Sequence, residues 1–338
     1  MATQSLAVKY RPTKFDEVVE QSATKIILQQ QLDSGEIKNA YLFCGGAGTG
    51  KTTCARIFAN EINKGKGSPI ELDAASNNSV DDVREIIQQA KTTSLDSEYK
   101  VFIMDEVHAL SNQAWQAMLK VLEEPPVKSI FIMCTTDPQK IPKTILSRVQ
   151  RFDFQRISQK AVFDRLHFVS LEELGGMPEV TVEMQALEFI AKQAQGGMRD
   201  ALTMLDKCIA YDDHNVTLEN VIKALGVANY DVMTDLLYAY DNAEVDKMVN
   251  IINEVYMSGY DLKQFIKGFT NFALDLNKYK LGAKDYLDCP ITEDIKSVFD
   301  GFVRDENELL TSLVKLQADI KWDTNPKARI EAWCFIGE

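Results

Sequence analysis

The sequence predicts an α/β domain with a parallel sheet, followed by helical domains without strands. Three observations predict it. Up to about residue 157, short apolar runs alternate with stretches of helical apolar spacing. Beyond that point the apolar spacing is helical throughout. The 338 residues also exceed one compact core, since domains cluster at roughly 100–200 residues. The expected division is an α/β domain at 1–157, a small helical domain at 158–214 and a C-terminal helical domain at 215–338.

In chain order, the first element is a helical stretch at 22–32. Tyr41-Leu42-Phe43-Cys44 is an apolar run met at once by glycines, a buried strand ending in a turn. Ala55, Ile57, Phe58, Ala59 and Ile62 give 52–62 helical spacing, and NKGKGSP at 63–69 is a turn. A strand at 70–73, a helix at 80–90 and a strand at 101–104 follow. The helix at 113–122 is stopped by Pro125-Pro126, and 130–135 is a fourth strand. Strands alternating with helices imply a parallel sheet with helices on both faces. Helices then occupy 161–174, 182–195 and 200–210, and everything from 220 on, with turns near Gly259, Gly282 and Pro290.

Composition narrows the function classes. The hydrophobic fraction of 45% and charged fraction of 26% are those of a soluble globular chain. No apolar run approaches the ~20 residues that span a bilayer, and MATQSLAVKYRP lacks the features of a signal peptide. The expected setting is the cytosol or nucleoid, with no membrane partner. None of the 6 cysteines forms a C-x-x-C pair, so neither a zinc knuckle nor a disulfide framework is indicated. His108, His167 and His214 are far apart and carry no ligand spacing. The net charge is −13, yet residues 1–160 hold 20 basic against 19 acidic side chains. Residues 161–338 hold 17 against 31, so the N-terminal half can still present a basic surface to phosphates.

Gly45-Gly46-Ala47-Gly48-Thr49-Gly50-Lys51-Thr52 fits G-x-x-x-x-G-K-[ST], with a strand before it and a helix after. Glycines let backbone N–H groups curl around an anion, and the helix N-terminus adds partial positive charge. Lys51 reaches the β- and γ-phosphates of ATP, and the Thr52 hydroxyl ligates Mg²⁺. Gly45, Gly48, Thr49, Gly50 and Thr53 complete the expected cradle. Val101-Phe102-Ile103-Met104-Asp105-Glu106 is an apolar strand ending in two carboxylates. Asp105 is expected to hold Mg²⁺ through water, and Glu106 to polarise the attacking water. Thr135-Thr136-Asp137 ends the fourth strand, where a hydroxyl suits either the γ-phosphate or an ordinary turn. Gly196-Gly197 breaks the chain before a helix and says nothing of Arg199.

These pieces in this order resemble AAA+ ATPases of the clamp-loader clade, and within it the bacterial DNA polymerase III gamma/tau family. The residues that carry the likeness are Ala7-Val8-Lys9-Tyr10-Arg11-Pro12 with Phe15-Asp16-Glu17-Val18-Val19, then Glu71-Leu72-Asp73-Ala74-Ala75-Ser76 and Asp105-Glu106-Val107-His108. Leu122-Glu123-Glu124-Pro125-Pro126, Thr135-Thr136-Asp137-Pro138-Gln139-Lys140, Ile145-Leu146-Ser147-Arg148 and Gly197-Met198-Arg199-Asp200-Ala201-Leu202 complete it. The likeness is strong over 7–157 and only general beyond about 215. It implies an AAA+ core with a five-stranded parallel sheet, a helical lid and a helical collar. It places Tyr10, Arg11 and Pro12 beside the adenine. It makes Thr136 the first sensor of the γ-phosphate, Arg148 the finger that reaches a neighbouring subunit's ATP, and Arg199 the second sensor, in the lid. The implied partners are a sliding clamp, primer–template DNA and other loader subunits in a ring of about five. Residues 77–91 and 111–120 are candidate surfaces for clamp or DNA.

Three departures from the family pattern follow. The four cysteines expected after the P-loop helix are missing from 63–69, so no zinc is expected, and a phage-encoded or otherwise minimal homologue fits. The family's Ser-Arg-Cys is Ser147-Arg148-Val149 here. The sequence stops at Glu338, like the short gamma form or a chain cut after the collar. Two rival readings stand beside the clamp-loader ATPase: another AAA+ DNA motor such as a branch-migration helicase, and a structural ring subunit without turnover.

Overall fold

The computed structural model describes residues 4–335 apart from 93, 95, 176–179, 213–214 and 226–229; His214 therefore lies outside the described residues. By chain contacts the protein divides into two units, Met1–Asn215 and Val216–Glu338.

In the first unit, strands β1 (Ala40–Gly45), β2 (Ile70–Asp73), β3 (Lys100–Asp105), β4 (Ser129–Thr135) and β5 (Gln150–Phe154) form one sheet in the order β2-β3-β4-β1-β5. All pairings are parallel. Helices α1 (Leu6–Lys9), α2 (Ser22–Ser34), α3 (Lys51–Ile62), α4 (Val80–Ala90), α5 (Asn112–Glu123) and α6 (Lys143–Leu146) belong with the sheet, and α7 (Gln159–Leu174), α8 (Met184–Gln193) and α9 (Met198–Tyr211) follow it.

Alternation along the central strands explains the two layers of helices. A strand's side chains point to opposite faces with period two. Leu42, Cys44, Phe102, Met104, Phe131 and Met133 pack on one face against Val83, Ile86, Trp115 and Met118 of α4 and α5. Tyr41, Phe43, Ile103, Ile130, Ile132 and Cys134 pack on the other, against Leu28 of α2 and Ile57 and Phe58 of α3. Both faces are apolar, as a parallel sheet requires. The register sets Cys44 beside Thr135 and Met104 beside Met133, so the carboxyl ends of β1, β3 and β4 finish together. Crevices at such strand ends are where open α/β sheets bind ligands.

The four strands expected from apolar runs are present, and β5 is the fifth that the family resemblance implied. In the second unit, α10 (Leu218–Leu225), α11 (Tyr230–Asp241), α12 (Val245–Met257), α13 (Leu262–Lys280), α14 (Glu293–Gly301), α15 (Glu306–Ile320) and α16 (Pro326–Cys334) share one core. Phe265, Phe269, Phe272 and Leu276 of α13 meet Leu309, Leu313 and Leu316 of α15 there. Asp275, almost fully buried on α13, is held by the Lys278 ammonium at 2.9 Å and accepts from the backbone N–H groups of Asp288 and Cys289. That carboxylate is satisfied, and its role is to anchor the 288–289 turn. Among the described residues no helix is long and apolar enough to cross a membrane.

Candidate active site

The glycine loop between β1 and α3 is shaped by close backbone approaches. Gly48 has φ +69°, and a Cβ there would lie 2.9 Å from Gly197 Cα. The Met198 N–H donates to the Gly48 carbonyl at 2.9 Å. Gly48 and Gly197 thus stand back to back, and the start of α9 docks on the phosphate loop. The sequence explained Gly197 only as a helix break; its second reason is this contact. Gly48→Ala is expected to destabilise the first unit by about 1–3 kcal/mol, through overpacking and a left-handed backbone that alanine disfavours. Chemical denaturation checks this, and an unchanged midpoint would contradict it.

Gly50 is the residue before α3, with φ +100°, and the start of that helix borders the cleft. The Lys51 ammonium is buried and donates to the carbonyls of Gly45 at 2.9 Å and Gly46 at 2.7 Å. Burial pulls its pKa below the ordinary lysine range, and the nearby Asp105 and Glu106 charges offset part of that pull. The Thr52 hydroxyl donates to Asp105 Oδ2 at 2.7 Å. A hydroxyl and a carboxylate converging beside a phosphate cradle are the hard oxygen donors that suit Mg²⁺. The residues therefore fit that ion.

Arg11, Arg56 and Arg199 line the same cleft. Burial first, then the charges of Arg56 and Arg199, lowers the pKa of Arg11. Arg56 pairs with Glu71 at 2.6 Å, yet its buried Nε has no acceptor among the described residues. Crowded, partly desolvated cations of this kind favour an anionic occupant. Tyr10 turns its hydroxyl to Glu173, and the Arg165 guanidinium donates to the Tyr10 carbonyl at 3.1 Å. Burial and the Glu173 contact push the phenol up to about 12, so it stays protonated. The tyrosine is fixed against α7, which leaves its ring to border the cleft.

Glu106 follows β3 in a left-handed conformation, φ +49°. Its Oε2 accepts from Thr136, at 2.9 Å from the hydroxyl and 3.3 Å from the backbone N–H. A strained non-glycine residue beside such a cleft is typical of functional sites. Arg148 lies elsewhere: its guanidinium donates to Glu123 at 2.6 Å and to the Thr144 carbonyl at 2.7 Å.

The cleft encloses about 390 Å³ and brings together Tyr10, Arg11, Pro12, Gly48, Thr49, Gly50, Lys51, Thr52, Thr53, Asp105, Glu106 and Arg199. Gly45, Thr136 and Arg148 are not among its lining residues. Gly45 acts from behind, where a Cβ would clash with the Phe154 carbonyl at 2.4 Å. Thr136 is engaged on Glu106 rather than on the cleft. Sequence reasoning missed Arg56, Arg165, Ile157 and Leu202 of the lining. Arg56 was within reach of helical spacing, one turn beyond Thr52 on the same face; the other three depend on the lid's approach.

Two family models match. One is described as DNA polymerase III, delta subunit, over residues 62–158. The other is described as DNA polymerase III clamp loader subunit, ATPase lid domain, over 170–214. DNA polymerase III subunit tau of Bacillus subtilis is 36% identical over 98% of this chain and 62% of that protein. The Escherichia coli subunit tau is 35% identical over 77% of this chain and 43% of that protein. The chain thus spans about half the length of these two relatives. DNA polymerase III subunit gamma of Buchnera aphidicola is 33% identical over 75% of this chain and 76% of that protein. Among solved structures, the Thermotoga maritima RuvB Holliday junction branch migration motor matches with a TM-score of 0.53 at 18% identity, over 77% of this chain and 90% of that one. That likeness carries the AAA+ fold and nothing about the activity.

Proposed function

The chain belongs to the DNA polymerase III gamma/tau family, and we propose that it is an ATP-hydrolysing subunit of a loader that places a sliding clamp on primer–template DNA. One observation carries the reading. Lys51, Thr52, Asp105 and Glu106 face a single cleft lined by four further cations, on a chain of clamp-loader ancestry. A structural ring subunit without turnover has no need of that set.

In this reading the P-loop N–H groups and Lys51 hold the β- and γ-phosphates, and Arg199 brings the lid to the nucleotide. Mg²⁺, when bound by Thr52 and Asp105, supplies charge neutralisation at the phosphate oxygens. Glu106 takes the proton of the attacking water as the oxygen–phosphorus bond to the leaving ADP breaks. Arg148, pinned outside its own cleft, serves the ATP of the next subunit, and hydrolysis then waits on assembly. The residues from 216 on form the collar that joins subunits, in a ring of about five with other subunit types. DNA is followed by phosphate contacts inside the spiral, without base readout. The setting is cytoplasmic, at the nucleoid.

The test is ATP turnover by the assembled complex with and without clamp and primed DNA. Clamp and DNA together are expected to raise turnover by about tenfold or more, by completing a site that is otherwise misaligned. Turnover indifferent to both would overturn the reading. Unwinding of duplex DNA by the chain would favour the branch-migration alternative instead.

A further inference from the structure

His108 is absent from every role assigned above, yet it touches the carboxylate that carries the chemistry. Its Nδ1 lies 3.1 Å from Glu106 Oε2 and 3.2 Å from Thr135 Oγ1. Thr135 Oγ1 in turn accepts from the Asp137 N–H at 3.0 Å, so this hydroxyl is itself held in place. The ring sits in a short 3-10 turn, Val107–Ala109, directly after the left-handed Glu106.

An ionised carboxylate only accepts hydrogen bonds. With its proton on Nδ1, the ring hydrogen-bonds Thr135 Oγ1 and sets its partly positive N–H edge 3.1 Å from Glu106 Oε2. In that tautomer His108, held by Thr135, braces the Glu106 carboxylate from the Oε2 side. Two donors, the Thr136 hydroxyl and the Thr136 N–H, converge on Oε2, and the His108 ring stands beside them at 3.1 Å. Among the described residues none occupies Oε1, which is the oxygen left to take a proton from water.

From this geometry we infer that His108 is a positioning residue for ATP hydrolysis, holding Glu106 by Oε2 so that Oε1 meets the attacking water. The inference rests on the ATPase reading above. It gains weight from the place of Thr136. If that hydroxyl turns to the γ-phosphate, as a sensor must, Glu106 loses its shortest contact. His108 is then the side chain that still fixes the carboxylate, at the moment when its orientation matters.

The experiment measures single-turnover hydrolysis and ATP affinity in the assembled complex with clamp and primed DNA, for wild type, His108→Ala, His108→Asn and His108→Gln. Asparagine places an N–H donor on Cγ, where Nδ1 sits, whereas glutamine places it one carbon further out. His108→Ala is expected to lower the rate constant by about 10–100-fold with ATP affinity within about twofold of wild type. His108→Asn is expected to return to within about threefold of wild type, and His108→Gln to remain near the alanine variant. In a Glu106→Gln background, His108→Ala is expected to change the residual rate by less than about twofold, because the two residues act as one unit. The inference is overturned if His108→Ala hydrolyses like wild type, if asparagine does no better than alanine, or if affinity falls with the rate. A full additive loss in the Glu106→Gln background overturns it too. A wild-type complex without turnover would instead sink the ATPase reading on which the inference stands.

Discussion

Glu106→Gln is expected to lower ATP hydrolysis by the assembled complex about 10²–10³-fold, while ATP affinity stays within about twofold. The side chains are nearly isosteric. The amide oxygen of glutamine can still accept from Thr136 beside the His108 ring on the Oε2 side, so the local geometry has no reason to change. The amide nitrogen then occupies the position of Oε1, where it has no free pair to take a proton. The substitution removes the base and keeps the cradle. In the proposed mechanism phosphate binding belongs to Lys51 and the glycine loop, and both are left intact. Single-turnover hydrolysis beside a nucleotide-binding titration separates the two quantities. Turnover close to wild type would favour the structural-subunit alternative, and parallel losses in rate and affinity would show that the loop itself had collapsed.

Arg148→Ala is expected to abolish assembly-dependent hydrolysis, with a loss of about 10³-fold or more, the scale of an arginine supplied in trans. The isolated chain should barely notice. Arg148 is outside its own cleft, so nucleotide affinity of the single chain is expected to be unchanged. Its ion pair with Glu123 is half exposed on both sides, and such pairs are worth about 0–1 kcal/mol. A melting temperature within a few degrees of wild type is the expected control. A strong loss of ATP binding by the isolated variant would place Arg148 in the wrong role.

How legible the site was depends on what kind of contact made each part. Tyr41-Leu42-Phe43-Cys44, Val101 to Met104 and Ile130 to Thr135 announce themselves because a strand covered on both faces is apolar at every position. β5, Gln-Arg-Phe-Asp-Phe, lies at the sheet edge with only Phe152 and Phe154 buried, so its run is broken by charges and escapes notice. The four-residue helix α1 is too short to show a period. The glycine loop was legible because its spacing alone encodes an anion cradle. Lys51, Thr52, Asp105 and Glu106 followed from their places at strand and helix ends. The roles of Thr136, Arg148 and Arg199 came from family likeness, since no local pattern distinguishes a sensor threonine from a turn threonine. Arg165, the Gly48–Gly197 approach and the His108–Glu106 contact join distant or irregular segments, and only folding brings them together.

The central claim is that this chain's ATP site is completed by Arg148 of its neighbour. Complementation tests it most directly. Chains carrying Lys51→Ala keep the arginine and lose the phosphate grip; chains carrying Arg148→Ala keep the grip and lose the arginine. Each, assembled alone with its partner subunits, clamp and primed DNA, is expected to be inactive. Assembled together, they are expected to recover a fraction of wild-type turnover, on the order of a quarter, from interfaces that pair an intact grip with an intact arginine. Mixed complexes as inactive as either variant alone, or full activity in the Arg148→Ala complex, would contradict a site shared between subunits.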